Sequence, residues 1–331
     1  MKELDRELVQ EAATADPPAQ KPKKKKRRKW DINEKTLVVL ASLGLIWLGV
    51  FCYAPMFGAA LAFKDADMRL DVWDALFTSE WVGFYNFREF FIDPNFAPVF
   101  WNTLGLNTIS LLINFPAPIL FALLINEMRL KKVRSAVQTV ANFPHFISWT
   151  VFGGMIIALC DMTTGIINPI LNAFGLSSNE NPVNLLSADY FWTIAILSSL
   201  LKGVGWGSIV YVAAISGIDP TYYEAATLDG ANRFQKAIYI TLPSISGTIT
   251  IFLLLSISGI LNNNFEQFWA LQNSINLSKS EVLATYMYKM GLSQRRYSYS
   301  SALGLFNSLI SFVLLLASNF ISKKISGKGL Y

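Results

Sequence analysis

Apolar residues in this chain gather into six long runs, at about 36–57, 100–125, 136–160, 190–217, 244–261 and 300–321, each nearly free of charge. Crossing the roughly 30 Å hydrocarbon layer of a bilayer takes about 20 such residues in a helix. A segment in lipid must bond its own N–H and C=O groups, so each run is expected to be helical. The fifth run is the shortest and the least sharply marked at its outer end. The pattern predicts an all-α, multi-pass membrane protein with six spans. The polar segments at about 64–98 and 262–298 carry Phe, Tyr and Trp among polar residues. They read as short amphipathic helices lying on the outer surface or closing over a pore.

Basic residues orient the spans, because Lys and Arg accumulate on the cytoplasmic side. The run Lys23-Lys24-Lys25-Lys26-Arg27-Arg28-Lys29 precedes the first span. Arg129, Lys131, Lys132 and Arg134 follow the second, Arg233 and Lys236 the fourth, and Lys323, Lys324 and Lys328 the sixth. Both termini are therefore expected in the cytoplasm. Lys279, Lys289, Arg295 and Arg296, in the last outer segment, run against the rule. Trp73, Trp81, Trp101, Trp192 and Trp269 fall near span edges, where interfacial tryptophans sit. The expected divisions are a disordered basic tail over 1–35, a transmembrane domain over 36–321, and a basic tail over 322–331.

Composition agrees with this class and excludes others. The chain is 53% hydrophobic and 15% charged, against about 25% charged in soluble domains. The basic run would suit nucleic acid if it stood alone. Directly before a span it reads as an anchor to anionic headgroups, so no nucleic acid is expected as a partner. Cys52 and Cys160 lie in apolar runs and read as small buried hydrophobes. One histidine, His145, cannot build a multi-histidine metal site and reads as an interhelical hydrogen-bonding group. No G-x-x-x-x-G-K-[ST] loop is present, so the chain should bind no nucleotide and no cofactor of its own.

Between the fourth and fifth runs lies a charged, small-residue insert at 218–243. Asp219 suits a helix N-cap and Pro220 the first helical position. Gly230 suits a left-handed helix end. A helix is expected through Glu224-Ala225-Ala226, a second short one from about Ala231, and a break at Pro243 on re-entry to the membrane. Ala225 and Ala226 present little bulk to an approaching groove, Glu224 offers a carboxylate to a partner, and Asp229 is placed to brace the turn. An ordinary interhelical loop would show some of the same features.

Glu224-Ala225-Ala226, Asp229-Gly230-Ala231 and then Leu242-Pro243 resemble the signature loop of permease subunits of binding-protein-dependent ABC importers. Tyr53-Ala54-Pro55-Met56-Phe57-Gly58, Trp81-Val82-Gly83-Phe84-Tyr85-Asn86-Phe87 and Phe143-Pro144-His145-Phe146-Ile147-Ser148-Trp149 resemble its carbohydrate-uptake branch, notably importers of oligosaccharides, including uronate- and glycan-derived ones. The resemblance covers about 36–331. It implies a non-catalytic channel subunit of the bacterial cytoplasmic membrane, paired with a second homologous permease. Two cytoplasmic ATPase subunits would bind ATP and Mg, and an extracytoplasmic solute-binding protein would deliver the sugar. The signature loop would be a coupling helix seated in a cleft of the ATPase.

Candidates for a substrate pathway are fewer. Lys202 lies within the fourth span, where a charge costs roughly 2.5–3.5 kcal/mol. It either lines the route or pairs with a polar group between spans. Trp206 lies one turn further on. Asn262, Asn263, Asn264, Glu266 and Gln267 form a dense polar set, with Trp269, Tyr286 and Tyr288 nearby; amides, carboxylates and aromatic faces are the groups that hold sugars. A water-exposed helix end is the plainer reading of that set. Pro116, Pro118 and Pro144 are expected to bend the second and third spans. An integral-membrane enzyme would need clustered acid, base or metal groups at one face, and a secondary transporter usually shows internal pseudo-symmetry; neither feature is found.

Overall fold

The structure, a computed structural model, describes residues 32–67, 71–178, 180–262 and 264–326. The lysine-rich run, most of the N-terminal tail, Asn263 and Lys328 lie outside them. The described residues are overwhelmingly helical, and the only β-pairing among them is a single bridge between Lys64 and Trp81. The contacts divide the chain into a first unit ending at Met56 and a second from Phe57 onward.

The described part of the first unit is helix Ile32–Leu48 and the turns that follow it. At Gly49–Tyr53 the helix widens by one residue, so that the Ala54 N–H bonds back to the Gly49 carbonyl. Pro55 follows at once. Proline supplies no N–H and its ring crowds the carbonyl of the preceding turn, and the wider turn relieves both. Cys52 is exposed on this helix, whereas Cys160 is buried as expected.

In the second unit the spans depart from six straight rods. Three helical runs are long and apolar enough to cross a membrane there: Phe96–Asn126, Ala188–Ser216 and Tyr297–Lys324. Lys35–Phe63, the first span in chain order, also meets that test. The expected third and fifth spans are each broken. Lys131–Phe146 and Trp149–Cys160 meet at 100°, and Arg233–Ser244 and Ser246–Ser258 at 66°. The third breaks because Pro144 sits in a tight 3-10 turn, Ile147 and Ser148 are extended, and Ser148 caps a new helix by accepting from the Val151 N–H. The fifth does not break at Pro243 itself. A wide turn at Ala237–Thr241 absorbs that proline, and the bend follows at Ile245.

Packing in this unit forms apolar clusters along the spans. Ile119, Ala122 and Ile125 meet Tyr211, Val212, Ile215 and Ile245 at one end. Leu106 meets Phe191, Ala195, Phe268 and Val282 further along. Ala62, Phe90, Phe96, Leu283, Tyr286, Tyr299 and Leu303 form a third cluster, which joins the two long polar segments to each other. That joint is also polar. Asp93 accepts from both Tyr286 (2.6 Å) and Tyr299 (2.7 Å). Arg296 bridges Glu89 and Asp67, and Asp67 also accepts from the Ser298 N–H at 2.8 Å. The two segments expected as short amphipathic helices, lying on the surface or closing over a pore, are thus joined in one cap. Three of the four basic residues that defied the orientation rule have partners, two of them inside this cap and Lys279 on the fourth span. Lys289 pairs with Glu281 at 2.6 Å, Arg296 with its two acids, and Lys279 lies over the Trp192 ring.

Candidate functional site

The insert between the fourth and fifth spans is a helix–turn–helix built by local rules. Asp219 accepts from the Thr221 N–H at 3.0 Å and Pro220 opens helix Pro220–Leu228. The Thr221 N–H holds the exposed Asp219 carboxyl below its usual range. The helix ends in a two-bond reversal. The Gly230 N–H reaches the Thr227 carbonyl (3.1 Å) and the Ala231 N–H reaches that of Ala226 (2.9 Å). This is the Schellman arrangement, and Gly230 takes the left-handed conformation it requires, at φ +78°. Asn232 and Gln235 then cap the next helix, Arg233–Lys236, reciprocally at 2.9 and 2.8 Å.

Asp229, expected to brace the turn, makes no side-chain bond among the described residues. The brace is Lys236, whose ammonium donates to the Thr227 hydroxyl at 2.7 Å. Glu224, Ala225 and Asp229 are exposed, Ala226 and Ala231 are half-buried, and helix Pro220–Leu228 buries none of its residues. Leu242 and Pro243 form the turn before the bend at Ile245. The insert also leaves in the open apolar side chains that its sequence pattern does not single out. Leu228 is 90% exposed and Phe234 75%, with Tyr222 and Tyr239 beside them in the chain also exposed. Apolar groups on a turn between two polar helix ends carried the signal, since no span needs them for its core.

The membrane candidates separate into distinct places. Trp206 and Asn262 line one cleft of about 410 Å³, with Asn107, Ser110, Asn114 and Tyr211. Its lining includes no charged side chain among the described residues. Gly207 lets Pro118 approach closely at its wall. Asn262 is further held by a bond from Asn307 at 2.9 Å. Lys202 is not in that lining. It is buried, and its ammonium donates to the main-chain carbonyls of Pro144, His145 and Ile147. Gln267 is buried too, donating to the Ala195 carbonyl and the Ser198 hydroxyl. Tyr286 lies inside the cap on Asp93. Asn264 caps helix Phe265–Leu271, and Glu266 is exposed. Trp269 and Tyr288 form a partly exposed trio with Phe265, centroids 4.9–5.4 Å apart. His145 packs by ring stacking on Trp206. No group of three or more His, Cys, Asp or Glu side chains able to hold a metal ion occurs among the described residues.

Residues 114–327 match the family of binding-protein-dependent transport system inner membrane components. The chain belongs to that family. The permease is also 40% identical to protein LplB of Bacillus subtilis (strain 168), over 90% of this chain and 92% of that one. It is 37% identical to the polygalacturonan/rhamnogalacturonan transport system permease protein YteP of the same organism, over 93% and 95%. Among solved structures it matches a chain of a bacterial alginate ABC transporter in complex with alginate pentasaccharide-bound periplasmic protein. There the TM-score is 0.80 and the identity 35%, over 90% of this chain and 97% of that one. The protein is thus the non-catalytic, multi-pass membrane subunit of an ABC importer, and ATP hydrolysis belongs to a separate ATPase. Membership sets aside the membrane enzyme and the secondary transporter.

Proposed function

We propose that this permease is one half of the channel of an ATP-driven importer of acidic oligosaccharides, worked through its insert at 218–243. The other half is a second, homologous permease. Two ATPases on the cytoplasmic side bind ATP and Mg, and a solute-binding protein loads the sugar from outside. Both termini and the insert face the cytoplasm, in keeping with the basic residues around them. The observation that carries the reading is a stiff helix end, closed by its own hydrogen bonds, that offers bare Leu228 and Phe234 for a partner to cover. Glu224, Ala225, Ala226, Asp229, Gly230, Ala231, Leu242 and Pro243 shape that element. Large exposed apolar groups on a soluble face mark contact sites. The sugar class rests on the relatives named for polygalacturonan, rhamnogalacturonan and alginate. The cleft at Trp206 and Asn262 is this chain's share of the sugar's path, since amides and an indole face suit hydroxyls and ring C–H groups.

The test uses the complete transporter in vesicles, with its binding protein and an oligogalacturonide. Glu224→Ala and Leu228→Asp should leave the permease in the membrane but abolish sugar-stimulated ATP hydrolysis. Wild-type stimulation in both variants would refute the coupling role.

A further inference from the structure

Lys202 has no part in the cleft lining or the insert, although a charge buried in a span is costly. Its surroundings show what it does. The 100° break in the third span leaves the carbonyls of Pro144, His145 and Ile147 at a helix end, where only that of Pro144 has a main-chain donor among the described residues, the Ile147 N–H at 3.3 Å. Such carbonyls at a helix end need donors and carry the negative end of the helix dipole. Lys202 supplies an ammonium, three donors on one point charge, to these three acceptors. The rings of Trp149 and Phe152, which begin the next helix, flank the same ammonium at 5.3 and 5.7 Å. Both sides of the break are thereby held by one side chain.

Positions 202, 205 and 206 share one helical stripe. At Gly205 a Cβ would overlap the Ala141 carbonyl, so the broken span lies directly on this stripe. Trp206 then stacks flat on His145, a residue of the break, with centroids 4.4 Å apart and planes 1° apart. Trp206 itself lines the cleft. We propose that Lys202 is a positioning residue for transport: it pins the break in the third span so that His145 backs Trp206 and fixes the indole at the cleft. The proposal rests on the reading that this cleft lies on the sugar's path.

A double-mutant cycle on import per ATP, in the complete reconstituted transporter with its loaded binding protein, tests it. Trp206→Ala and Lys202→Met should each lower the import ratio about tenfold, the scale of losing one aromatic anchor. The double variant should be no worse than Trp206→Ala alone, because Lys202 acts through Trp206. Lys202→Arg, which restores a cation with several donors, should recover most of the import. If Lys202→Met fails to assemble, His145→Ala replaces it. That change removes the stack, leaves the main-chain carbonyls in place, and should be equally non-additive with Trp206→Ala. Losses that multiply to about a hundredfold in the double variant, or a Lys202→Met permease that imports normally, overturn the inference while the path through the cleft stands. Normal import by Trp206→Ala instead removes the cleft from the path, and the inference falls with it.

Discussion

Replacing Gly230 by alanine isolates the backbone requirement of the insert at 218–243. A Cβ at this position meets nothing within 4 Å, so the substitution brings no clash. Its cost is conformational, because φ is +78° and an L-residue in the left-handed region costs roughly 1–2 kcal/mol. That strain falls on a closure made of two bonds, Gly230 N–H to Thr227 and Ala231 N–H to Ala226. A shift of about 1 kcal/mol changes the open fraction of a local equilibrium about fivefold. Amide hydrogen exchange over a peptide spanning 226–236 should therefore quicken about fivefold at these amides. Protection elsewhere in the permease should not change. Gly230→Asn, which tolerates the left-handed region better, should fall between wild type and alanine. Gly230→Pro removes a bonded N–H and forbids the positive φ, so it should abolish the closure and sugar-stimulated ATP hydrolysis together. Unchanged exchange in Gly230→Ala would refute the claim that this closure depends on glycine's freedom to take the left-handed conformation.

Other perturbations separate the remaining elements. Asn232→Ala removes one side of the reciprocal cap and should cost about 1 kcal/mol locally, read as faster exchange over 232–236 with the joint around Asp93 unaffected. Asp93→Asn leaves Tyr286 and Tyr299 without their charged acceptor and should lower the melting temperature of the purified transporter; unaltered melting would show that the cap is held by packing alone. Burial opposes ionisation of Asp93, yet the two phenol donors, with the N–H groups of Asn95, together hold its carboxyl below the usual range. Its contribution is therefore fully present above about pH 4, the ordinary carboxylate value, and is lost as pH falls further, so melting between pH 5 and 8 should not vary on its account. Gly205→Leu should separate the fourth span from the Ala141 backbone and block assembly, measured as loss of the intact complex in size-exclusion chromatography.

Features set by neighbouring residues were legible in the sequence, and features set across the chain were not. Asp219, Pro220 and Gly230 each act within a few residues, and each sits where its chemistry placed it. The break at Ile147 was hidden because the apolar run passes straight through it, and hydropathy does not register direction. Pro144 hinted at a bend but not at 100°. Lys202 finds its carbonyls 55 to 58 residues away, a pairing that no local pattern displays. Gln267 and Tyr286 have the side chains of a sugar site, yet their partners, 72 and 193 residues distant, place them inside the packing. Side-chain chemistry alone does not distinguish a buried polar bond from a polar surface. Leu228 and Phe234 show the converse, since they are apolar and yet bare.

How the insert is fastened decides whether it can carry force. Arg233 pairs with Glu127, at the end of the second span, but both side chains are well exposed, at 56% and 40%, and the contact is 3.7 Å. An exposed pair of that length contributes about 0–1 kcal/mol and yields readily. The firmer tie is the hydroxyl pair of Tyr223 and Thr241, at 2.9 Å, with Thr241 buried. It joins the helix that follows the fourth span to the turn that leads into the fifth. Within the insert, Lys236 and Thr227 lock the two helices to each other. A push on Leu228 would therefore reach the fourth and fifth spans as one body and the second only weakly. These are two of the spans that line the cleft, through Trp206 and Tyr211 on one side and Ser256 and Ile260 on the other. If that is how the stroke travels, Tyr223→Phe should reduce sugar imported per ATP more than Arg233→Gln does, although the second removes a charge and the first only a hydroxyl.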